Sequence, residues 1–136
     1  MINLIIVTHG EFGAYLVEAA EGVVGGQESG IASIGISSRV TVDEVSRRLK
    51  CALREMTGSG GIIIMTDMPG GTPCNVTLPL VRERDDVRVI SGVNLYMLVT
   101  AFNSRKTLSL AALAEKLIVA GKRSVADLNS LLAAGK

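Results

Sequence analysis

"INLIIVTHGEFGAYLVEAAEGVVGG", residues 2–26, joins an apolar β-branched run to a helical pattern through one short turn. The run over residues 2–8 is brief and almost continuously hydrophobic, which suits a strand covered on both faces. Phe12, Tyr15, Leu16, Ala19 and Val23 then recur at three- and four-residue spacing, and Gly25-Gly26 supplies a stop. A buried strand feeding directly into a helix is the unit from which α/β sheets are built. The only histidine of the chain, His9, stands at the junction, followed at once by Gly10.

The unit repeats outward along the chain. Further apolar runs at residues 31–36, 62–66 and 87–91 read as strands, with helical patterns between them. The second helix opens at Thr41, whose hydroxyl caps while Glu44 reaches back, and carries Val42, Val45, Leu49, Ala52, Leu53 and Met56 on one face. Gly58 offers its C-terminal cap. A third helix starts at Thr72-Pro73, a capping hydroxyl followed by proline at the first helical position. Pro79 predicts a kink or an early end there, because an interior proline lacks a donor and clashes with the preceding turn. Asn94 caps a fourth helix to about Asn103, and residues 107–120 form a fifth, closed by Gly121. The tail beyond Arg123 has Val125, Leu128, Leu131 and Leu132 at helical spacing, with a short extra strand over 122–126 as the alternative. The pattern predicts an α/β fold: an open, doubly wound, mostly parallel sheet with helices on both faces and right-handed crossovers.

A length of 136 residues suits one domain, spanning 1–136, with a single core. Fourteen Lys and Arg against thirteen Asp and Glu give a net charge of +1, so there is no electrostatic footprint for nucleic acid or an anionic membrane. Aromatic residues are only 3%, too few for a base-stacking surface. No apolar run approaches the roughly 20 residues of a membrane span, and the run after Met1 lacks the basic leader of a signal peptide. A cytoplasmic protein is expected. Cys51 and Cys74 are too few and isolated for a disulfide framework or a Cys-x-x-Cys metal site, and read as reduced packing thiols.

Ligands of open α/β sheets collect beyond the carboxyl ends of the strands, where strand order reverses. Here those ends carry Thr8-His9-Gly10, then Thr66-Asp67-Met68-Pro69-Gly70-Gly71-Thr72-Pro73, then Ser91-Gly92-Val93-Asn94. A strand order of 2-1-3-4 makes the first and third strands neighbours, so His9 and Asp67 face each other across the switch point. A carboxylate accepting from one imidazole nitrogen fixes the tautomer and leaves the other lone pair outward. Such an imidazole can attack phosphorus. The Gly70-Gly71-Thr72 turn at a helix start offers backbone N–H donors and a hydroxyl to phosphoryl oxygens, and Gly10 admits close approach beside His9. Each piece also has an ordinary reading: a structural or surface histidine, a plain Gly-Gly turn, an Asp67 that caps a helix or ligates a metal. One histidine and scattered acids make no ligand cluster of recognisable spacing, so no metal site is expected. Met65, Met68 and Met97 read as core or crevice filler.

Together, "IIVTHGEFG" (5–13), "IIMTDMPGGTPCN" (63–75) and "VISGVNLYML" (89–98) resemble the mannose-type enzyme IIA domains of the bacterial sugar phosphotransferase system, from Met1 to about Gly121. The resemblance implies a phosphocarrier needing no cofactor and no directly bound nucleotide. The histidine phosphocarrier protein would phosphorylate His9 through Nε2, and a separate IIB protein would receive the group before sugar uptake. It also implies Asp67 as orienter, Gly10, Gly70, Gly71 and Thr72 as phosphoryl binders, and Thr66, Met68, Ser91, Gly92 and Asn94 at the rim. It implies a homodimer, made in some relatives by exchanging a C-terminal antiparallel strand, which the partly helical tail here does not match. Alternatives are a phosphotransfer subunit of a dihydroxyacetone kinase and a stand-alone regulatory module switched by His9 phosphorylation. A flavin- or nucleotide-binding domain is disfavoured by the missing G-x-G-x-x-G and P-loop patterns and the scarcity of aromatics.

Overall fold

A computed structural model describes residues 1–56 and 60–135. Strand–helix alternation places β1 (Asn3–His9), α1 (Phe12–Val24), β2 (Ile31–Ile36), α2 (Val42–Glu55), β3 (Ile62–Thr66), α3 (Thr72–Val81), β4 (Val87–Ile90), α4 (Leu95–Ser104), α5 (Leu110–Arg123) and α6 (Leu128–Ala134) in order. The four strands are parallel and lie in the order β2-β1-β3-β4, as expected. The order reverses between β1 and β3, so His9 and Asp67 emerge side by side, with Val7 opposite Thr66 in the register.

Period-two alternation sorts the strand side chains into two apolar layers. Leu4, Ile6, Ile63 and Met65 pack with Ala20, Met97, Leu98, Ala101, Leu113 and Leu117, so α1, α4 and α5 cover one face. Ile5, Val7, Ile62 and Ile64 pack with Val45, Leu49, Leu53, Val76 and Val81 under α2 and α3. Continuous apolar strands are thus buried twice over, which is what parallel sheets require.

Several local expectations change. His9 is the last residue of β1 rather than the residue after it. Of the stripe Phe12, Tyr15, Leu16, Ala19 and Val23, Leu16 packs against the core while the other four face outward. Gly13 and Ala20 are the buried residues of α1, because close packing on β1 leaves room only for small side chains there. Thr41 caps α2 by accepting from the Glu44 amide at 3.1 Å, whereas the Glu44 carboxylate turns to Arg47 and Arg48 instead of reaching back. The proposed cap at Gly58 lies outside the described residues. Gly71, not Thr72, is the N-cap of α3, so Thr72 is already helical and its hydroxyl caps nothing. The helix runs through Pro79 and stops two residues later at Val81. Ser109 caps α5, so that helix begins at Leu110 rather than 107, and Gly121 lies within it. A Cβ at Gly121 would sit 2.8 Å from Met97 Sδ, so this glycine serves close contact with α4 rather than termination. Residues 122–126 are not a strand: Lys122 and Arg123 end α5, and the chain passes into α6. Among the described residues no helix is long and apolar enough to cross a membrane.

Candidate functional site

His9 is positioned first by its own strand and the turn after it. Gly10, at φ +58°, takes the left-handed conformation that lets the chain leave β1 sharply, and its amide donates to the Ile36 carbonyl at 2.7 Å. Buried Thr8 ties the turn from beneath, its hydroxyl accepting from the Gly13 amide at 2.9 Å. Gly35 lies under the same turn; a Cβ there would meet the Gly10 carbonyl at 2.5 Å. These three residues, Thr8, Gly13 and Gly35, support the site without having been singled out for it from the sequence. For Gly35 the available signal was a glycine inside the β2 run, since it marks close backbone approach.

Asp67 then fixes the ring. One carboxylate oxygen, Oδ2, accepts from the His9 amide at 2.9 Å and from His9 Nδ1 at 2.8 Å. The other, Oδ1, accepts from the Met68 amide at 2.9 Å. Partial burial works against ionisation of Asp67, but the His9 amide, the His9 ring and the Met68 amide together outweigh it and hold the carboxyl below its ordinary range. An ionised carboxylate can only accept, so the ring proton sits on Nδ1 and Nε2 carries a lone pair. The His9 side chain is 50% exposed while that of Asp67 is 13% exposed, so the orienter is sheltered and the ring is presented.

The edge of the ring that bears Nε2 lies against the start of α3. A Cβ at Gly71 would come within 3.0 Å of His9 Cε1 and 3.5 Å of Nε2. Gly71 has an ordinary φ of −86°, so what it supplies is space rather than an unusual conformation. The first backbone hydrogen bond of α3 runs from the Asn75 amide to the Gly71 carbonyl at 2.9 Å. Amides before it, at Gly70, Gly71, Thr72 and Cys74, have no partner within the helix, and Pro73 has none to offer. Unpaired N–H groups with the positive end of the helix dipole make an anion-binding corner beside Nε2. Gly70, at φ +80°, shapes the turn into it.

The remaining candidates fall into three places. Met68 is half exposed at the lip. Thr66 is fully buried, its hydroxyl without a hydrogen-bond partner and its carbonyl accepting from the Val93 amide at 3.0 Å, so it is a floor residue rather than rim. Ser91, Gly92 and Asn94 line a separate cavity of about 520 Å³ between β4 and α5. Asn94 is occupied as the cap of α4, accepting from the Met97 amide at 3.1 Å and donating to the Gly92 carbonyl at 3.2 Å. Cys74 and Cys51 are free, partly buried thiols. Met65 and Met97 are core. Among the described residues no three His, Cys, Asp or Glu side chains gather as a metal-binding group.

Comparison with known proteins gives a consistent set of likenesses. The family profile "PTS system fructose IIA component" matches residues 3–118. The chain is 26% identical over 124 residues to the PTS system fructose-specific EIIA component of Bacillus subtilis (strain 168), covering 91% of this chain and 84% of that protein. It is 28% identical over 104 residues to the PTS system mannose-specific EIIAB component of Escherichia coli (strain K12), covering 76% of this chain but 32% of that longer protein. Among solved structures, phosphotransferase system component EIIA from Streptococcus agalactiae superimposes with a TM-score of 0.84 at 32% identity, over 96% of this chain and 99% of that one.

Proposed function

The chain belongs to the fructose/mannose IIA family of the sugar phosphotransferase system, and on that footing we propose that it carries a phosphoryl group on His9 Nε2 between two protein partners. The donor in this reading is the histidine phosphocarrier protein and the acceptor a separate IIB protein. The observation that supports it most is the double engagement of Asp67 Oδ2 by the His9 amide and Nδ1, which leaves Nε2 bare beside the α3 amides.

The chemistry balances without a general base. The Nε2 lone pair attacks phosphorus, a P–N bond forms, and the donor's P–N bond breaks with its electron pair returning to the donor imidazole. Positive charge develops on the His9 ring, which keeps its Nδ1 proton, and the ionised Asp67 stabilises it. The equatorial oxygens gather negative charge at the amides of Gly70, Gly71 and Thr72, with the Thr72 hydroxyl and the open turn at Gly10 completing the corner. Reversal of the same steps releases the group to the acceptor. Nothing in the step calls for a metal or cofactor.

A half-exposed imidazole suits exchange with another protein, which must bring its own reactive nitrogen to the same phosphorus. A carrier of this kind meets phosphate and protein rather than sugar, so sugar choice would reside in its partners. Self-association in the cytoplasm is part of the reading; Tyr15 and Tyr96, both outward on α1 and α4, support it, and sedimentation velocity tests it by resolving a dimer or a monomer. The test of the carrier role is incubation with phosphoenolpyruvate, enzyme I and the histidine phosphocarrier protein. It should give an acid-labile, alkali-stable label that His9→Ala abolishes; a label surviving in that variant, or none in the parent chain, contradicts the proposal.

A further inference from the structure

We infer that the cavity at the amino ends of the strands, between the end of α4 and the loop from α1 to β2, binds a small phosphate-bearing anion. It lies at the pole of the molecule opposite His9 and does not depend on the carrier reading above. The cavity encloses about 370 Å³, within the range of small-molecule sites. The loop over residues 26–29 forms one wall, and Arg105 and Lys106 form the other.

Arg105 is the reason for an anion. It is 1% exposed, and among the described residues it forms no ion pair. All its partners are neutral: Nε donates to Gln27 Oε1, Nη1 to the Ile2 and Gly30 carbonyls, and Nη2 to the Ser29 carbonyl. A guanidinium has five N–H groups, so one on Nη2 is left without an acceptor among the described residues, on a side chain that lines the cavity. A buried charge held by neutral dipoles alone bears a heavy desolvation cost, which a counter-ion offsets. Gly30, at φ +77°, makes room for the group, since a Cβ there would come within 2.7 Å of Nη1.

The other groups of the cavity favour a phosphate over a carboxylate. Lys106 is exposed and has no ion pair among the described residues, and the amides of Gly26, Glu28 and Ser29 have no acceptor among them either. Donors thus come from two separate segments, which suits the three terminal oxygens of a phosphate group. The single spare N–H of Arg105 rules out the paired contact by which a guanidinium grips a carboxylate. Glu28 is the one acidic side chain of the lining; it is exposed, and Arg105 with Lys106 outweighs it. An anion in the cavity would therefore be held by Arg105 and Lys106 and opposed by Glu28.

The test is nitrogen–proton correlation NMR of the full chain titrated with sodium phosphate and, separately, with glycerol phosphate, against sodium chloride at equal ionic strength. Signals of residues 26–30 and of the Arg105 side chain should shift and saturate, separately from any response at residues 70–74, which have amides of their own. Lys106→Ala should raise the Kd about fivefold, the effect of losing one partly exposed charge contact. Glu28→Gln should lower it by a similar factor, and Gly71→Ala should leave it unchanged. Tighter binding of glycerol phosphate than of inorganic phosphate identifies a phosphate monoester as the ligand, and equal or weaker binding identifies the free ion; both uphold the site. Shifts that chloride reproduces, that stay linear in concentration or that are confined to residues 70–74 overturn the inference. So does a Kd unchanged in both Lys106→Ala and Glu28→Gln.

Discussion

Asp67 spends one carboxylate oxygen on the backbone and ring of the same residue, so a single side chain sets where the strand ends, which nitrogen holds the proton and how the ring is turned. Its depressed pKa has a defined sign. Stabilisation from the ionised form is present above the ordinary carboxylate value of 3.8 and is lost as pH falls through the lower folded value. Asp67→Asn should therefore be less stable than the parent chain in urea at pH 7, with the gap closing below about pH 4; a gap that stays constant to pH 3 contradicts this account of the pair. Gly71 makes a complementary prediction. Its backbone accepts an alanine, but the new Cβ would press on His9 Cε1 and Nε2. Gly71→Ala should cost stability only about 1 kcal/mol, as a changed cap does, yet slow His9 labelling at least severalfold. Normal labelling in a folded variant would show that the ring yields freely.

At the scale of elements, the contact between α1 and β1 is the tightest around the site. A Cβ at Gly13 would lie 2.7 Å from Ile6 Cγ2 and 2.9 Å from Thr8 Oγ1, both on β-branched side chains held in the strand. Overpacking of that kind costs about 1–3 kcal/mol, more than the roughly 1 kcal/mol that alanine gains over glycine in a helix. Gly13→Ala should lower the urea midpoint, and a rise would mean that α1 can lift off β1 cheaply. The same contact explains what the sequence could and could not disclose. Strands and crossovers were legible because burial on both faces leaves unbroken β-branched runs, and the caps at Thr41 and Asn94 because their side chains act locally. The orientation of α1 was not: Phe12, Tyr15 and Val23 have the spacing of a core face, but the sheet admits only Gly13 and Ala20 at closest approach. Gly121 misled for a related reason, since a glycine that clears space for Met97 looks like a helix stop. His9, Asp67 and Gly71 could be placed together because strand order alone makes their loops neighbours. Ser91 and Asn94 share that sheet end yet line another cavity, a distinction set by the path of β4 and α5 in three dimensions.

Across the whole molecule, the proposed phosphoryl corner at the carboxyl ends of the strands is balanced by a polar clamp at the other end. Arg105, 1% exposed, donates to Gln27 Oε1 at 3.1 Å, to the Gly30 carbonyl at 3.2 Å and to the Ser29 carbonyl at 2.6 Å, while its own carbonyl accepts from the Ile2 amide. It ties the end of α4 to the starts of β1 and β2. Arg105→Met should leave Gln27 Oε1 and the Ser29 carbonyl without this donor, the Gly30 carbonyl keeping the Leu4 amide, and cost about 3 kcal/mol in urea unfolding, while the folded fraction still labels at His9; loss of labelling in folded protein would couple the two poles in a way the structure does not explain. The central claim concerns a single atom, and nitrogen-15 NMR of the His9 ring after phosphorylation addresses it. The account predicts phosphorus coupled to Nε2 and a proton retained on Nδ1 facing Asp67. Phosphorus on Nδ1, or on any residue other than His9, would contradict it.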